Sequence, residues 1–239
     1  MHGGSFITGD GRQESISFLS SLLLKHTRAV AVFAPQYRLA SRPLSQPFPA
    51  ALQDTLTSYM YLVDTVGIAP ENIILSGDSA GGNLVIGLLR YLSAHGKELG
   101  IPLPAAAVLI SPWVAPSAIV GPELVVRSNP HFASDYLPFS LLRWGATAYA
   151  GNASVSDPYI SPLGHAFATP VRTFVNVGTA ELFEMDITRW AKEMERVEGN
   201  CIELNYEAGA PHDTLLMGHL LGWEASAEKV AMRIGSFLR

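Results

Sequence analysis

Apolar residues fall along this chain in two alternating rhythms. Short runs at 28–34, 72–76, 105–111, 171–177 and 201–206 are rich in branched and aromatic residues and read as strands. Several are apolar at nearly every position, as strands buried on both faces are. Between them, the stretches 14–27, 50–66, 80–95, 186–198 and 222–238 place apolar residues at three- and four-residue steps and read as helices. In the last of these, Trp223, Ala227, Val230, Ile234 and Phe237 make a single stripe. Strand and helix alternating in this way predict an α/β fold, a mostly parallel sheet with helices on both faces.

One stretch breaks the rhythm. Seven prolines fall between Pro112 and Pro162, and only 139–149 has a helical pattern there. That is too long for an ordinary connection. The reading is a single domain over 1–239, with 112–162 inserted as a cap above the strand ends, where α/β sheets bind ligands. Neither an internal repeat nor a low-complexity tract interrupts it.

Candidate chemistry sits at the turns. Ile73-Ile74-Leu75-Ser76 runs into Gly77-Asp78-Ser79-Ala80-Gly81-Gly82 and then into the helix that starts at Asn83-Leu84-Val85. A G-x-S-x-G turn between strand and helix holds its serine in a strained backbone conformation and lifts the hydroxyl above the sheet. The following helix N-terminus favours developing negative charge. Ser79 is therefore the expected nucleophile of acyl-transfer chemistry.

Such chemistry needs N–H donors for the oxyanion. His2-Gly3-Gly4-Ser5-Phe6 supplies a loop whose amides can approach closely because Gly3 and Gly4 carry no Cβ. The expected donors are the N–H groups of Gly3, Gly4 and Ala80, with His2 orienting the loop by hydrogen bonds.

A general base comes from one of seven histidines. His212 lies in the loop directly after the run 201–206, which puts it at the strand ends in the chain order serine, acid, histidine. His26 and His95 close helices, His131 and His165 lie in or near the insertion, and His219 begins another helical stretch. The orienting acid belongs after the run 171–177, where Glu181, Glu184 and Asp186 follow. Glu181 comes first and is preferred, Asp186 is the alternative acid, and Glu184 reads as a first-turn helix residue.

Composition narrows the partners. Hydrophobic residues make up 48% and charged residues 15%, enough for a substantial core, and the net charge is −5. Without a clustered basic run the chain is not expected to bind nucleic acid. The single cysteine, Cys201, rules out an internal disulfide and a cysteine metal cluster, and reads as a small buried hydrophobe at a strand edge. The apolar runs are far shorter than the ~20 residues that cross a bilayer, so no membrane span is expected. No signal-peptide pattern opens the sequence, and a cytoplasmic location is the expectation.

Taken together, these motifs resemble the hormone-sensitive-lipase-like branch of the α/β-hydrolase esterases over almost the whole chain. His2-Gly3-Gly4 is similar to that branch's oxyanion motif, and Gly77-Asp78-Ser79-Ala80-Gly81-Gly82 to its nucleophile motif. Tyr37-Arg38-Leu39-Ala40 and Phe48-Pro49-Ala50-Ala51-Leu52-Gln53-Asp54 resemble the segment between them. The resemblance implies a carboxylic ester hydrolase with no cofactor and no metal, acting on small to medium esters under a cap, with a homo-oligomer as one permitted assembly. Amide or lactone hydrolysis and acyl transfer would use the same residues.

Three departures stand out. Ser5 occupies a position that is often Gly, and Glu181 is followed by Leu182-Phe183 where the family usually has Asp before Pro-Leu. The glycine motif also begins at residue 2, where the resemblance implies preceding strands. One of these would lie between 28–34 and 72–76, so Met1 is expected to be an internal residue of that strand and the chain a truncated form of a longer protein. Two readings therefore stand beside the enzyme: a non-catalytic small-molecule-binding protein and an inactive truncated fragment.

Overall fold

A computed structural model describes residues 1–41 and 46–239. Among the described residues, ten α-helices and four strands follow one another. Helices α1 (Gln13–His26) and α2 (Ala50–Met60) precede β1 (Ile74–Asp78), and α3 (Ser79–Tyr91) and the one-turn α4 (Lys97–Leu99) lead to β2 (Ala106–Ile110). Then come α5 (Pro116–Val120), α6 (Glu123–Arg127) and α7 (Phe139–Ala150), followed by β3 (Arg172–Gly178), α8 (Glu184–Glu195), β4 (Ile202–Glu207), α9 (Thr214–Leu221) and α10 (Glu224–Phe237). The strands form one sheet in the order β1-β2-β3-β4, every neighbour parallel.

The side-chain alternation of a strand explains how this sheet is buried. Along β2, Ala106, Val108 and Ile110 pack with Phe174, Leu215 and the α10 residues Val230, Ile234 and Phe237. Ala107 and Leu109 point the other way, into a core shared with Leu84 and Leu88 of α3, Tyr59 of α2 and Ile187 and Trp190 of α8. Both faces are covered, so nearly every β2 position is apolar, as the sequence pattern implied. The stripe of α10 is the surface that covers one face.

Two expectations fail. The run 28–34 is not a strand: it has no ladder partner among the described residues, and Val30 is 97% exposed. Its apolar, β-branched composition mimics a strand, but a strand exists only through pairing. The backbone beside the outer edge of β1 is that of Met1, whose amino group donates to Ser76 O at 2.5 Å and whose carbonyl accepts Asp78 N–H at 3.3 Å. Cys201, expected to be buried, is exposed, because it precedes the first paired residue of edge strand β4. The helices expected over 50–66 and 80–95 are present and end in π-helical turns, Tyr61–Thr65 and Leu92–Gly96.

The proline-rich stretch 112–162 falls between β2 and β3 and carries α5, α6 and α7. Asn83 of α3 pins both of its ends, donating to Trp113 O and to Ile160 O at 2.8 Å each. Helix α7 lies against the N-terminal glycine loop so closely that a Cβ on Gly145 would stand 2.3 Å from Ser5 O. Phe6 stacks on Tyr149 of α7 at 3.8 Å and on Trp113 at 5.6 Å. The insertion thus packs on the N-terminal glycine loop and on α3, the helix that follows β1.

Candidate active site

The site grows from four strand ends. β1 runs into Asp78, the N-cap of α3, and Ser79 begins the helix in the left-handed region at φ 49°. A serine there is strained, and only surrounding structure holds it. A Cβ on Gly77 would stand 2.3 Å from Gly81 O, and one on Gly81 would stand 2.1 Å from Met1 O. The flanking glycines are therefore demanded by backbone packing. Trp113 N–H donates to Ser79 O at 2.9 Å and ties the elbow to the start of the insertion.

After β3, Glu181 is wholly buried, and after β4, His212 is almost wholly buried. His212 Nδ1 lies 3.5 Å from Glu181 Oε2, an ion-pair distance longer than a well-formed hydrogen bond. The two loops are fastened to each other, since Ala180 N–H donates to Ala210 O at 3.0 Å. Asp186, the alternative acid, sits in the first turn of α8 and makes no side-chain bond to His212. Glu184 is in that same turn and binds Thr188, its expected structural place.

Burial and neighbouring charge leave both members of the pair above their ordinary pKa values. Burial lowers the His212 pKa, but Glu181 foremost, with Asp135 and Asp78, outweighs it and leaves the imidazole above its ordinary value. Burial raises the Glu181 carboxyl, while His212 and Ser111 pull it back. His212 Nε2, the ring nitrogen turned away from Glu181, has no partner among the described residues.

The glycine loop differs from expectation at one donor. Gly3 N–H points to Asp78 Oδ2 at 2.7 Å, so this amide holds the loop to the elbow. The N–H groups of Gly4, Ser5 and Ala80 have no hydrogen-bond partner among the described residues. Gly4, Ser5 and Phe6 all have positive φ, which curls the loop; Ser5 and Phe6 do so despite their side chains. His2 keeps its expected place: its ring stacks on Tyr37 at 4.1 Å, its Nδ1 contacts Gly3 O at 2.8 Å, and its carbonyl accepts from Tyr37 Oη at 2.8 Å. Burial lowers its pKa, so the ring is a neutral structural group.

Three residues of the site carried no signal that singled them out in the sequence. Ser111, in the left-handed region at φ 45°, donates to Glu181 Oε2 at 2.6 Å and accepts Asp213 N–H at 3.1 Å. Asp213, at φ 53°, caps α9 through Leu216 N–H at 3.2 Å. Its carboxyl is pushed well above the usual carboxylate range by burial and then by the charge of, and hydrogen bond to, Asp78. Asp78, the neighbour of Ser79, and Asp213, the neighbour of His212, are thus near enough for one carboxyl to feel the other's charge. Asp135, from the insertion, accepts Leu182 N–H at 2.7 Å and His212 N–H at 3.2 Å.

Of the aromatic residues that could line an acyl pocket, Trp113 is fully buried, packed between Phe6 and Phe183. Phe132 and Phe139 are half-buried, and Tyr136 and Trp144 are exposed. Among the described residues no cluster of side chains suits a metal ion, and no helix is long and apolar enough to cross a membrane.

Known proteins are similar to this chain in sequence and in fold. A family model described as alpha/beta hydrolase fold matches residues 1–216. An acetyl-hydrolase of Streptomyces hygroscopicus is 34% identical over 186 residues, which span 78% of this chain and 57% of the relative. An ethyl acetate hydrolase of Pseudomonas putida is 28% identical over 229 residues, 92% of this chain and 66% of the relative. The chain therefore spans less than two thirds of either relative's length. A crystal structure of an esterase from the bacterial hormone-sensitive lipase family superposes with a TM-score of 0.82 at 28% identity, covering 100% of this chain and 74% of that one.

Proposed function

We propose, starting from the fact that the chain belongs to the alpha/beta hydrolase fold family, that it is a serine carboxylesterase working through an acyl-enzyme on Ser79. The observation that carries this reading is the buried pair His212–Glu181 at 3.5 Å, on the loops that follow β3 and β4, with Asp213 beside His212 near enough to feel the charge of Asp78 beside Ser79. A strained serine at a helix N-terminus, beside a histidine oriented by a carboxylate, is what acyl transfer requires.

His212 takes the hydroxyl proton through Nε2 as Ser79 Oγ attacks the ester carbonyl. The tetrahedral oxyanion is held by the N–H groups of Gly4 and Ala80, with Ser5 N–H beside them. Gly3, whose amide is engaged by Asp78, fixes the loop and does not donate to the substrate. His212 then protonates the leaving alcohol, water enters, and the same base activates it for deacylation. Glu181 keeps the proton of the imidazole on Nδ1 and offsets the positive charge that forms.

The chain acts as one domain over 1–239, with 112–162 as a cap over the acyl pocket. Relatives named as an acetyl-hydrolase and an ethyl acetate hydrolase support a short acyl group, and the close packing of α7 on the glycine loop supports a small pocket. The test is turnover of 4-nitrophenyl acetate by the chain and by Ser79→Ala. Wild-type turnover that disappears in the variant, with Ser79 as the residue labelled by diethyl 4-nitrophenyl phosphate, supports the proposal. A folded wild-type chain that neither turns over nor labels at Ser79 would sink it and favour a binding protein.

A further inference from the structure

Residues 129–137 of the insertion form a strap fastened to both loops that carry the acid and the base. Asn129 Nδ2 donates to Leu182 O at 3.0 Å, and Ser134 Oγ donates to Ala180 O at 2.9 Å, so the strap brackets Glu181 on either side. Asp135 does more. Its Oδ2 accepts Leu182 N–H at 2.7 Å, and its Oδ1 accepts Tyr136 N–H at 2.8 Å and His212 N–H at 3.2 Å. One carboxylate in the insertion therefore bonds the residue after Glu181 and the backbone of His212 itself.

We propose that Asp135 is a positioning residue for the His212–Glu181 pair, setting both its geometry and its charge. This rests on the catalytic roles proposed above for Ser79, Glu181 and His212. The geometric part follows from the bonds. Glu181 and His212 stand on separate connections, and at 3.5 Å a small drift of either loop would break their contact. Like Ser111 beneath the pair, Asp135 is bonded to both loops at once, and it does so from the insertion.

The electrostatic part follows from burial. Water screens little around His212, so a nearby negative charge stabilises the protonated ring. The titratable groups that face it are Glu181 from the acid loop, Asp78 from the elbow, Asp135 and Tyr136 from the strap, and Asp213 beside it in the chain. Phe183 presents a ring edge-on at 5.3 Å and contributes no charge. Asp135 is the carboxylate of this set supplied by the insertion and not by a strand end.

The experiment compares wild type, Asp135→Asn, Asp135→Ala and Ser134→Ala in hydrolysis of 4-nitrophenyl acetate, from about pH 5 to about pH 10, with a melting curve for each. Wild type is first labelled with diethyl 4-nitrophenyl phosphate. Labelling absent from Ser79 defeats the catalytic reading itself, whereas labelling at Ser79 leaves only the role of Asp135 in question. Asp135→Ala should lower kcat by about tenfold or more with KM within about twofold, because the lost bonds act on the base and not on substrate. Asp135→Asn keeps the shape but removes the charge and one of the two acceptor oxygens, so the acid limb of kcat/KM should move to lower pH by about half a unit. Ser134→Ala removes a strap bond without removing charge, and its limb should coincide with wild type even if it melts earlier. If Asp135→Ala does not fold, the isosteric Asp135→Asn decides. An Asp135→Asn limb that superposes on wild type overturns the inference.

Discussion

Ser111 donates its hydroxyl to Glu181 Oε2 at 2.6 Å, and both side chains are buried. The same Ser111 oxygen accepts Asp213 N–H at 3.1 Å, so one hydroxyl links the ends of β2, β3 and β4. Glutamate is one methylene longer than aspartate, and this bond fixes where the extra reach ends. Replacing Ser111 by alanine leaves a buried carboxylate oxygen short of a donor, at a cost of about 1–3 kcal/mol. Ser111→Ala should therefore melt earlier and lose several-fold in kcat. Ser111→Gly should show a similar kcat loss with a smaller drop in Tm, because glycine accepts the left-handed φ of 45° without strain. Melting curves and kcat for the two variants check both statements.

The bond from Gly3 N–H to Asp78 Oδ2 gives a second prediction. Asp78 sits between the elbow and the glycine loop, and a Cβ on Gly3 would stand 2.3 Å from that same oxygen. Asp78→Ala removes the acceptor and frees the loop that presents Gly4. It should lower kcat by about tenfold or more, in line with the loss of an oriented oxyanion donor. Asp78→Asn keeps an acceptor oxygen for Gly3 and should recover most of that loss. Equal activity of wild type and Asp78→Ala in single-turnover assays would count against this role.

Much of this architecture is legible in the residues themselves. Buried parallel strands write themselves as continuous apolar runs, and α10 writes its stripe, because each pattern follows from which faces lose contact with water. The elbow is legible because Gly77 and Gly81 have no room for a side chain. His212 and Glu181 are legible by being first after their strands. Pairing is where composition fails: 28–34 has the residues of a strand, but a ladder needs a neighbour that composition does not name. The supporting polar groups are silent for a related reason. Asp135 lies 77 residues from the His212 N–H that it accepts, so nothing local marks either as the other's partner.

Close approach of the elbow to Met1 gives a prediction about stability. A Cβ on Gly81 would stand 2.1 Å from Met1 O and 2.6 Å from His2 O, both backbone atoms that cannot rotate away. Gly81→Ala must push the first residues off β1 or unwind the start of α3. The expected cost is about 2–4 kcal/mol, large against the stability of a typical domain. By contrast, Gly67→Ala meets nothing within 4 Å but sits at φ 76°, so it should cost only about 1 kcal/mol. Denaturant melts of the two variants should rank them in that order.

The pH profile tests the pair at the centre of the site. In the proposed cycle His212 accepts the Ser79 proton only when its ring is neutral, so kcat/KM should rise with pH as the ring loses its proton. Burial pulls its pKa down, but the charges of Glu181, Asp135 and Asp78 leave it raised above 6.5. The midpoint of the acid limb should therefore lie above pH 6.5 in wild type. Glu181→Gln removes the largest raising influence and leaves burial in place, so the midpoint should fall, while kcat drops by about a thousandfold or more as the ring loses its orienting charge. The two effects have opposite consequences at low pH, where the variant keeps a larger share of its own maximum than wild type does. Asp186→Asn, outside this pair, should leave both the limb and kcat close to wild type. A wild-type profile returned by Glu181→Gln, together with a collapse in Asp186→Asn, would transfer the role of the acid to Asp186.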